Sequence, residues 1–577
     1  MYILVSRERS GRFRVRDLDA QGRPTGHDAR LAPDQFRVYA ARREAGADDG
    51  VPGGVRWVWA ESARLYPVLL AGGIRVKRCH DLRLCHAIIR NAALTGGSVL
   101  ANAPAGRWDA AAAVEPTPVS GTTLFDLDLG LGAGIEADAL PDDDDDLTEF
   151  SAQLEAVARC ADPARLRLLL AAESVGALIA AEMQFIGLPW RSAVHNRLLT
   201  ELLGPRVGTG LRPARLEELA GRIRAALGDP TVNPDSPPEL LRALQRAGLT
   251  VSSTRAWELE KLEHPVIEPL LRYKKLARLL SANGWYWMET WIIDDRFHPE
   301  YLPGGVVTGR WATRGGGALQ LPRQIRGAVM ADPGWSFVVA DAAQLEPRIL
   351  AALSTDPAMA AAGHGTDLYA GIVASGVVDT RDQAKVAMLG AMYGATSGES
   401  GRLLPRLARA YPRALALTES AARAGERGDV VSTRLGRTSP RPGEDWQDDQ
   451  ARATEAGASA ADERRARGQA RDWGRFTRNF IVQGSAAEWA LCWMAEIRKG
   501  LWDLAGQPMT ADPFAHAPHL VFFLHDEVIV HTPVELADSV SRIVTEAAAT
   551  AGRLLFGEFP VDFPLTCVVV DSYADAK

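Results

Sequence analysis

The sequence predicts an α+β fold, with sheets and helices in separate tracts, and three stretches predict it. Ser336–Ala340 is an apolar strand-like run that ends at Asp341. Leu345, Ile349, Leu350 and Leu353 follow at three- and four-residue spacing, the period of a helix face. Val521–Thr532, VFFLHDEVIVHT, sets two β-rich runs around His525-Asp526-Glu527 and reads as a hairpin with a tight turn. Helical periodicity dominates from Leu147 to about Trp291.

Composition bounds the answer. A chain of 577 residues can form two to four domains with full cores. A charged fraction of 24% and a hydrophobic fraction of 47% describe a soluble globular protein. No uninterrupted apolar run reaches about 18 residues, so no membrane partner is expected. The N-terminus lacks a secretory apolar region. The five cysteines, Cys79, Cys85, Cys160, Cys492 and Cys567, are scattered with no CxxC, which argues against a disulfide framework or a zinc site and fits a reducing cytoplasm. The net charge of −7 includes the run Asp142–Asp146, so the placement of basic residues is more informative than their sum.

In chain order, residues 1–102 alternate strand-like runs (Met1–Val5, Val55–Trp59) with helical patterns (Ser62–Leu70, Leu82–Ala93), a small α/β unit. Residues 103–146, rich in Ala, Pro, Gly and Asp, read as an acidic low-complexity linker. From 147 onward three helices stand out. LLAAESVGALIAAEMQFIGLPW is broken at Gly187 and Pro189. SPPELLRALQRAGL has Ser236 at the N-cap position and Pro237 at the first helical position. PVIEPLLRYKKLARLLSANGW carries Arg272, Lys274, Lys275 and Arg278 on its polar side, a solvated face or a grip on a phosphate backbone. VVTGRWATRGGGALQLPRQIRG, from residue 306, is basic and Gly-rich, suited to close approach to phosphates or base edges. Pro357–Val378 reads as helical, and Ser432–Arg471 as a charged, mobile loop.

Four segments carry chemistry. Asp341 at a strand end and Asp526 at a hairpin tip could meet on one sheet. Two such carboxylates can hold two divalent ions ~3.5–4 Å apart for in-line phosphoryl transfer, with Mg²⁺ the natural ion for all-oxygen ligands. Thr380–Gly394 starts with a capping Thr, and Arg381, Lys385, Leu389 and Tyr393 recur every four residues as a slowly turning stripe. Its basic N-terminal turns suit a triphosphate, and its apolar end a base and sugar. Arg475, Asn479 and Gln483 share a helix face with donors suited to minor-groove acceptors.

Together these segments resemble the bacterial DNA polymerase I family (family A). The family's DYSQIELR motif matches Asp341, Gln344, Glu346 and Arg348. Its R-x3-K-x3-F-G-x2-Y-G motif matches Arg381, Lys385, Leu389-Gly390 and Tyr393-Gly394. HDE is intact at His525–Glu527, TGR at Thr308–Arg310, and R-x3-N-x3-Q-G at Arg475, Asn479 and Gln483-Gly484. A weaker match extends back to about residue 150.

The resemblance implies a right-hand palm, fingers and thumb over 147–577: thumb about 200–300, palm about 301–356 and 475–577, fingers about 357–474. It implies a template-directed DNA polymerase using two Mg²⁺ ions, primer–template DNA and deoxynucleoside triphosphates, working as a monomer in the cytoplasm at the nucleoid. Asp341 and Asp526 become the metal ligands, with Glu527 a supporting carboxylate. Arg381 and Lys385 hold the triphosphate, Lys385 also as proton donor to pyrophosphate. Tyr393 sits beside the templating base, and Glu346 blocks a ribose 2′-OH. Arg310 and Gln483, with Arg475 and Asn479, face the DNA minor groove, and His525 the primer terminus.

Departures from the pattern are specific. Leu389 replaces an aromatic that packs on the sugar, and Asp367-Leu-Tyr369 replaces DIH, changing a phosphate contact at Tyr369. Residues 1–102 stand where the family has a 3′–5′ exonuclease of reduced RNase H-like type. No Asp-x-Glu occurs there, and Glu61, His80, Asp81 and His86 are its nearest metal candidates, so a proofreading-inactive relic is expected, with no 5′ nuclease domain ahead of it. Two alternatives compete: a single-subunit RNA polymerase, disfavoured by Glu346 and HDE, and a catalytically impaired, polymerase-derived DNA-binding scaffold.

Overall fold

Strand pairing at the N-terminus begins with an Arg-rich antiparallel meander. The structure is a computed structural model that describes residues 1–46, 54–110, 145–208, 210–315, 317–365, 367–394, 398–455, 457–505 and 512–576. The first sheet has β1 (Tyr2–Arg7), β2 (Phe13–Leu18), β3 (Pro24–Leu31), β4 (Arg56–Trp59) and β5 (Cys79–Asp81), in the order β3-β2-β1-β4-β5. The first three strands are antiparallel, and β4 and β5 run parallel to β1. Both faces are covered. Ile3, Val5, Val15, Trp57 and Trp59 pack on one side with Phe36 and Leu69, and Leu4, Leu18 and Val58 on the other with Leu82 and Phe150. A parallel element buried on both faces reads as a continuous apolar run, which is how β1 and β4 appear. β2 (FRVRDL) and the exposed edge β3 (PTGHDARL) do not.

Most of the expected linker, residues 111–144, lies outside the described residues. Its flanks are built into the core. Trp108 is buried, and Asp146 accepts a hydrogen bond from Ser6 Oγ at 2.7 Å and another from Arg107 at 2.7 Å. The helix Asp145–Arg159 starts there, so the linker reading fails at both ends for lack of any local signal of burial.

The helix Pro163–Ile186 is long and apolar enough by length and composition to cross a membrane, but most of it is buried inside the protein. Gly176 lets it close on Leu491 of the 46-residue helix Ala460–Ala505: an added Cβ would sit 2.8 Å from Leu491 Cδ2. Its two buried acids are paired. Glu173 meets Arg437 at 2.7 Å, and Glu182 meets Arg498 at 2.7 Å, the Tyr66 hydroxyl at 2.6 Å and Arg75 at 3.4 Å. Glu182 therefore ties the first sheet's helix Ser62–Leu70 to the long helix. Burial alone would raise its pKa, but Arg498 and Arg75 outweigh burial and hold it down to about 2.

The second sheet has the order β7-β8-β6-β9, with β6 Trp335–Ala342, β7 His519–Leu524, β8 Glu527–Pro533 and β9 Leu565–Val570. β7 and β8 form the expected antiparallel hairpin. Tyr301 secures β7: its hydroxyl donates to Phe523 O at 2.7 Å and accepts from Phe523 N at 3.0 Å. Ser432–Arg471 is not the expected loop among its described residues. It holds the helix Glu444–Thr454 and the start of the long helix, joined by Gln450 Nε2 to Ala466 O at 3.0 Å and Gln469 Nε2 to Asp449 at 2.7 Å.

Contacts divide the chain into two units, and Gly187–Pro299, Gly316–Trp335 and Val570–Lys577 make the smaller one. It contains the helices Ser192–Leu203, Ala214–Leu227, Pro237–Arg246 and Ile267–Asn283 around Trp190, Trp287 and Phe297. Ser236 occupies the N-cap position of Pro237–Arg246 but its side chain makes no capping hydrogen bond. Lys274 turns onto Thr254 O at 2.6 Å, leaving Arg272, Lys275 and Arg278 exposed on that helix.

Candidate active site

The two strand-end aspartates come together through the backbone. Ala342 N, one residue past Asp341, donates to Asp526 O at 2.9 Å, so β6 ends beside the tip of the β7–β8 hairpin. Both tips are bent. Gln344 has φ +47° and His525 φ +58°, left-handed values that a non-glycine residue adopts at a cost of about 1–3 kcal/mol and that cluster at functional sites. Asp341 and Asp526 are half-buried, His525 is exposed and Glu527 is buried. Hard carboxylate oxygens fit Mg²⁺. Among the described residues no third His, Cys, Asp or Glu completes a cage, which suits an ion that keeps water and substrate phosphates as its other ligands.

One turn beyond Asp341, in the helix Leu345–Ser354, Glu346 is a junction. It accepts from Arg310 of the TGR segment and, at 2.5 Å, from the Tyr393 hydroxyl. Tyr393 ends the helix Arg381–Tyr393, whose N-cap Thr380 accepts from Gln383 N at 3.2 Å. Arg381, Lys385, Leu389 and Tyr393 are all exposed, so the four-residue spacing does produce one open face. Arg381 forms an ion pair with Asp367 at 2.8 Å, and its guanidinium lies over the largely buried Tyr369 ring at 5.5 Å.

Arg348, from the first motif, is buried, and among the described residues its guanidinium forms no ion pair. It donates to the carbonyls of Ala343, Gly363, Asp562 and Gly365 at 2.5–3.0 Å. It thereby clamps the segment leading to Asp367 onto the turn after Asp341, a positioning role set by five fixed donors.

The long helix supplies the third wall. Arg475 is exposed, and Asn479 and Gln483 are half-buried on the same face. Gly484 meets both the TGR segment and the turn at Thr433: an added Cβ would collide with Thr433 Cγ2 and sit 3.0 Å from Thr308 O, so a larger residue there would force these neighbours to shift. Arg475 pairs with Asp472 and lies along Gly394, where an added Cβ would be 3.1 Å from its Cγ.

Sequence reasoning missed the turn that braces this wall. Thr433 and Leu435 N bind the buried Glu488, while Arg437 packs on Gly309 and pairs with Glu173. Two acids inside apolar helical runs, Glu173 and Glu488, were the available signal, since a buried charge demands a partner. The nuclease candidates of the N-terminal unit are committed elsewhere. Asp81 accepts from Ser62 N at 2.6 Å and Leu84 N at 3.0 Å, Glu61 pairs with Arg83 at 2.8 Å, His80 meets Gln153 at 2.7 Å, and His86 meets Glu149 at 2.8 Å.

The family model for DNA polymerase family A matches residues 212–569. This chain belongs to DNA polymerase family A. It is 26% identical over 349 residues to DNA polymerase I of Chloroflexus aurantiacus, covering 54% of this chain and 33% of that protein. The thermostable DNA polymerase I of Thermus filiformis is 25% identical over 398 residues, 61% of this chain and 42% of that one. The chain thus spans well under half the length of these relatives. Among solved structures, the POL domain of Pol1 from M. smegmatis, in complex with DNA primer-template and dNTP, has the same fold: TM-score 0.61, 19% identity, 98% of this chain and 93% of that one.

Proposed function

We propose that this chain is a template-directed DNA polymerase that adds deoxynucleotides to a primer 3′-OH, without proofreading. The observation that carries the reading is the junction at Glu346, which draws the exposed Arg381–Tyr393 face and Arg310 to the turn after Asp341. Asp341 and Asp526 would hold two Mg²⁺ ions, which when bound activate the primer hydroxyl and neutralise phosphate charge. Arg381 and Lys385 bind the triphosphate, and Lys385 gives a proton to the departing pyrophosphate. Leu389 and Tyr393 form the apolar floor under sugar and base, with Tyr369 behind Arg381. Glu346 stands where a ribose 2′-OH would project. Glu527 supports the primer end and His525 touches the primer terminus. Arg310, Arg475, Asn479 and Gln483 line the minor groove of primer–template DNA, a contact that tests pair shape rather than sequence.

In this reading residues 200–300 act as thumb, 357–474 as fingers, and 301–356 with 475–577 as palm. The chain works as a monomer on nucleoid DNA in the bacterial cytoplasm. Residues 1–102 are a reduced exonuclease-like unit. Its sheet order supports that origin, and the internal partners of Glu61 and Asp81 support the loss of nuclease chemistry.

Primer extension with Mg²⁺ on a 5′-labelled primer–template tests this. Wild type should extend, Asp526→Ala should lose at least about 10³-fold in rate, and omission of deoxynucleotides should leave the primer length unchanged. A folded, DNA-binding wild type that does not extend would reject the polymerase reading in favour of a scaffold. Shortening that persists in Asp526→Ala would overturn the relic assignment.

A further inference from the structure

Asp367 stands outside the catalytic pattern, yet its carboxylate is engaged on every side. Its Oδ1 caps the helix Leu368–Ala374, accepting from Tyr369 N at 3.0 Å and Ala370 N at 3.2 Å. The same oxygen accepts from Gln344 Nε2 at 3.3 Å, while Gln344 Oε1 accepts from Leu368 N at 3.0 Å. Its Oδ2 accepts from Arg381 Nε at 2.8 Å. One carboxylate therefore joins the bent turn after Asp341 to the first residue of the Arg381–Tyr393 helix. The other end of that helix is held to the same strand–helix unit by Tyr393 and Glu346.

We infer that Asp367 is an internal stand-in for nucleotide phosphate: it parks Arg381 on its own carboxylate and, through Gln344, on the catalytic turn, so that an incoming triphosphate must displace it. This inference rests on the polymerase reading and makes Asp367 a positioning residue that acts through Arg381. Three features fit exchange rather than permanent structure. The Arg381 and Asp367 side chains are 52% and 32% exposed, and ion pairs that wet are individually weak. The pair engages Nε, and among the described residues the outer edge of the guanidinium forms no ion pair, leaving a two-nitrogen fork for phosphate. The Tyr369 ring under the guanidinium keeps its plane oriented when the carboxylate is exchanged. Burial tends to raise the Asp367 pKa, but Arg381 and the two capping amides prevail and hold it below the ordinary carboxylate value, so the competitor is charged whenever nucleotide arrives.

The test is Asp367→Asn, which keeps the helix cap and removes the charge. Single-nucleotide insertion is measured for wild type, Asp367→Asn, Arg381→Ala and the double variant. Loss of the competing charge should lower KM for the deoxynucleotide about three- to tenfold at low salt, with kcat within about twofold, and the difference should shrink as salt screens the pair. In an Arg381→Ala background the same substitution should change KM by less than about twofold, because the residues act as a unit. An unchanged or raised KM in Asp367→Asn, or a gain that survives in Arg381→Ala, would overturn the inference. If thermal unfolding shows that Asp367→Asn has lost its fold, Asp367→Ser, also a strong cap, carries the same prediction. Wild type that does not extend primers fails the polymerase reading. Wild type that extends, with no gain in the variant, fails only the latch.

Discussion

The Tyr393 hydroxyl donates to Glu346 Oε2 at 2.5 Å, joining residues 47 apart in the chain. Burial and the neighbouring carboxylate both push the Tyr393 pKa up, so the hydroxyl stays a donor throughout the physiological range. Glu346 is thereby held rigidly, with Arg310 on its other oxygen.

Removing that carboxylate releases both partners and, in the proposed reading, opens space beside the nucleotide sugar. Glu346→Ala should raise the ratio of ribonucleotide to deoxynucleotide kcat/KM by about tenfold or more, since a filled pocket is what rejects an added hydroxyl. Deoxynucleotide insertion should fall in the same variant, because Arg310 and Tyr393 lose their anchor. Single-turnover insertion of matched ribo- and deoxynucleotides measures both.

Leu389 presents an aliphatic surface, 36% exposed, on the face proposed to bind the nucleotide sugar. Leu389→Phe should lower KM for deoxynucleotides about two- to tenfold, the scale of one aromatic contact. Its exposure means the larger side chain enters solvent space, so the unfolding midpoint should stay the same.

Arg498 is buried against Glu182 and donates to Val76 O at 2.6 Å and Lys77 O at 3.0 Å. Arg498→Met leaves Glu182, among the described residues, with Arg75 and Tyr66 as partners and should cost about 3–5 kcal/mol in denaturant unfolding. The pH dependence has a definite sign. The folded pKa of Glu182, about 2, lies below its usual 4.5, so its contribution is complete above pH ~4.5 and is lost as pH falls toward 2.

Glu488 behaves in the opposite way. Burial pushes its pKa up to about 7, against the hydrogen bonds from Thr433 and Leu435 N. The folded state then binds a proton that the unfolded chain releases near pH 4.5, so this group's stability contribution declines as pH rises from about 4.5 to 7. Glu488→Gln, which cannot ionise, should gain roughly 1–3 kcal/mol relative to wild type between pH 5 and 8, at about 1.36 kcal/mol per pKa unit. Parallel unfolding curves at the two pH values would read this, and a constant difference would reject it.

Local pattern carried the site further than the fold. The β6 strand ending in Asp341, the HDE hairpin and the Arg381–Lys385–Leu389–Tyr393 face were legible because each is a period or a turn within about a dozen residues. β2 does alternate apolar and Arg residues, but over only Phe13–Leu18 and with Arg16 and Asp17 buried, and β3 is a polar edge with no apolar period. The helices inside Ser432–Arg471 were hidden by charge: Glu444–Thr454 has no buried residue, so no apolar stripe marks it.

The sequence by itself determined which carboxylates, bases and aromatics exist and which of them share a strand end or a helix face, because covalent spacing and backbone period are local. Only the tertiary structure decided which of them meet. Glu173 with Arg437 spans 264 residues, Glu182 with Arg498 spans 316, and Gly484 is closely approached by the Thr433 side chain and the Thr308 carbonyl. Such pairings pay loop-closure entropy that no local pattern records, and they are selected by packing and by the need of each buried charge for a partner.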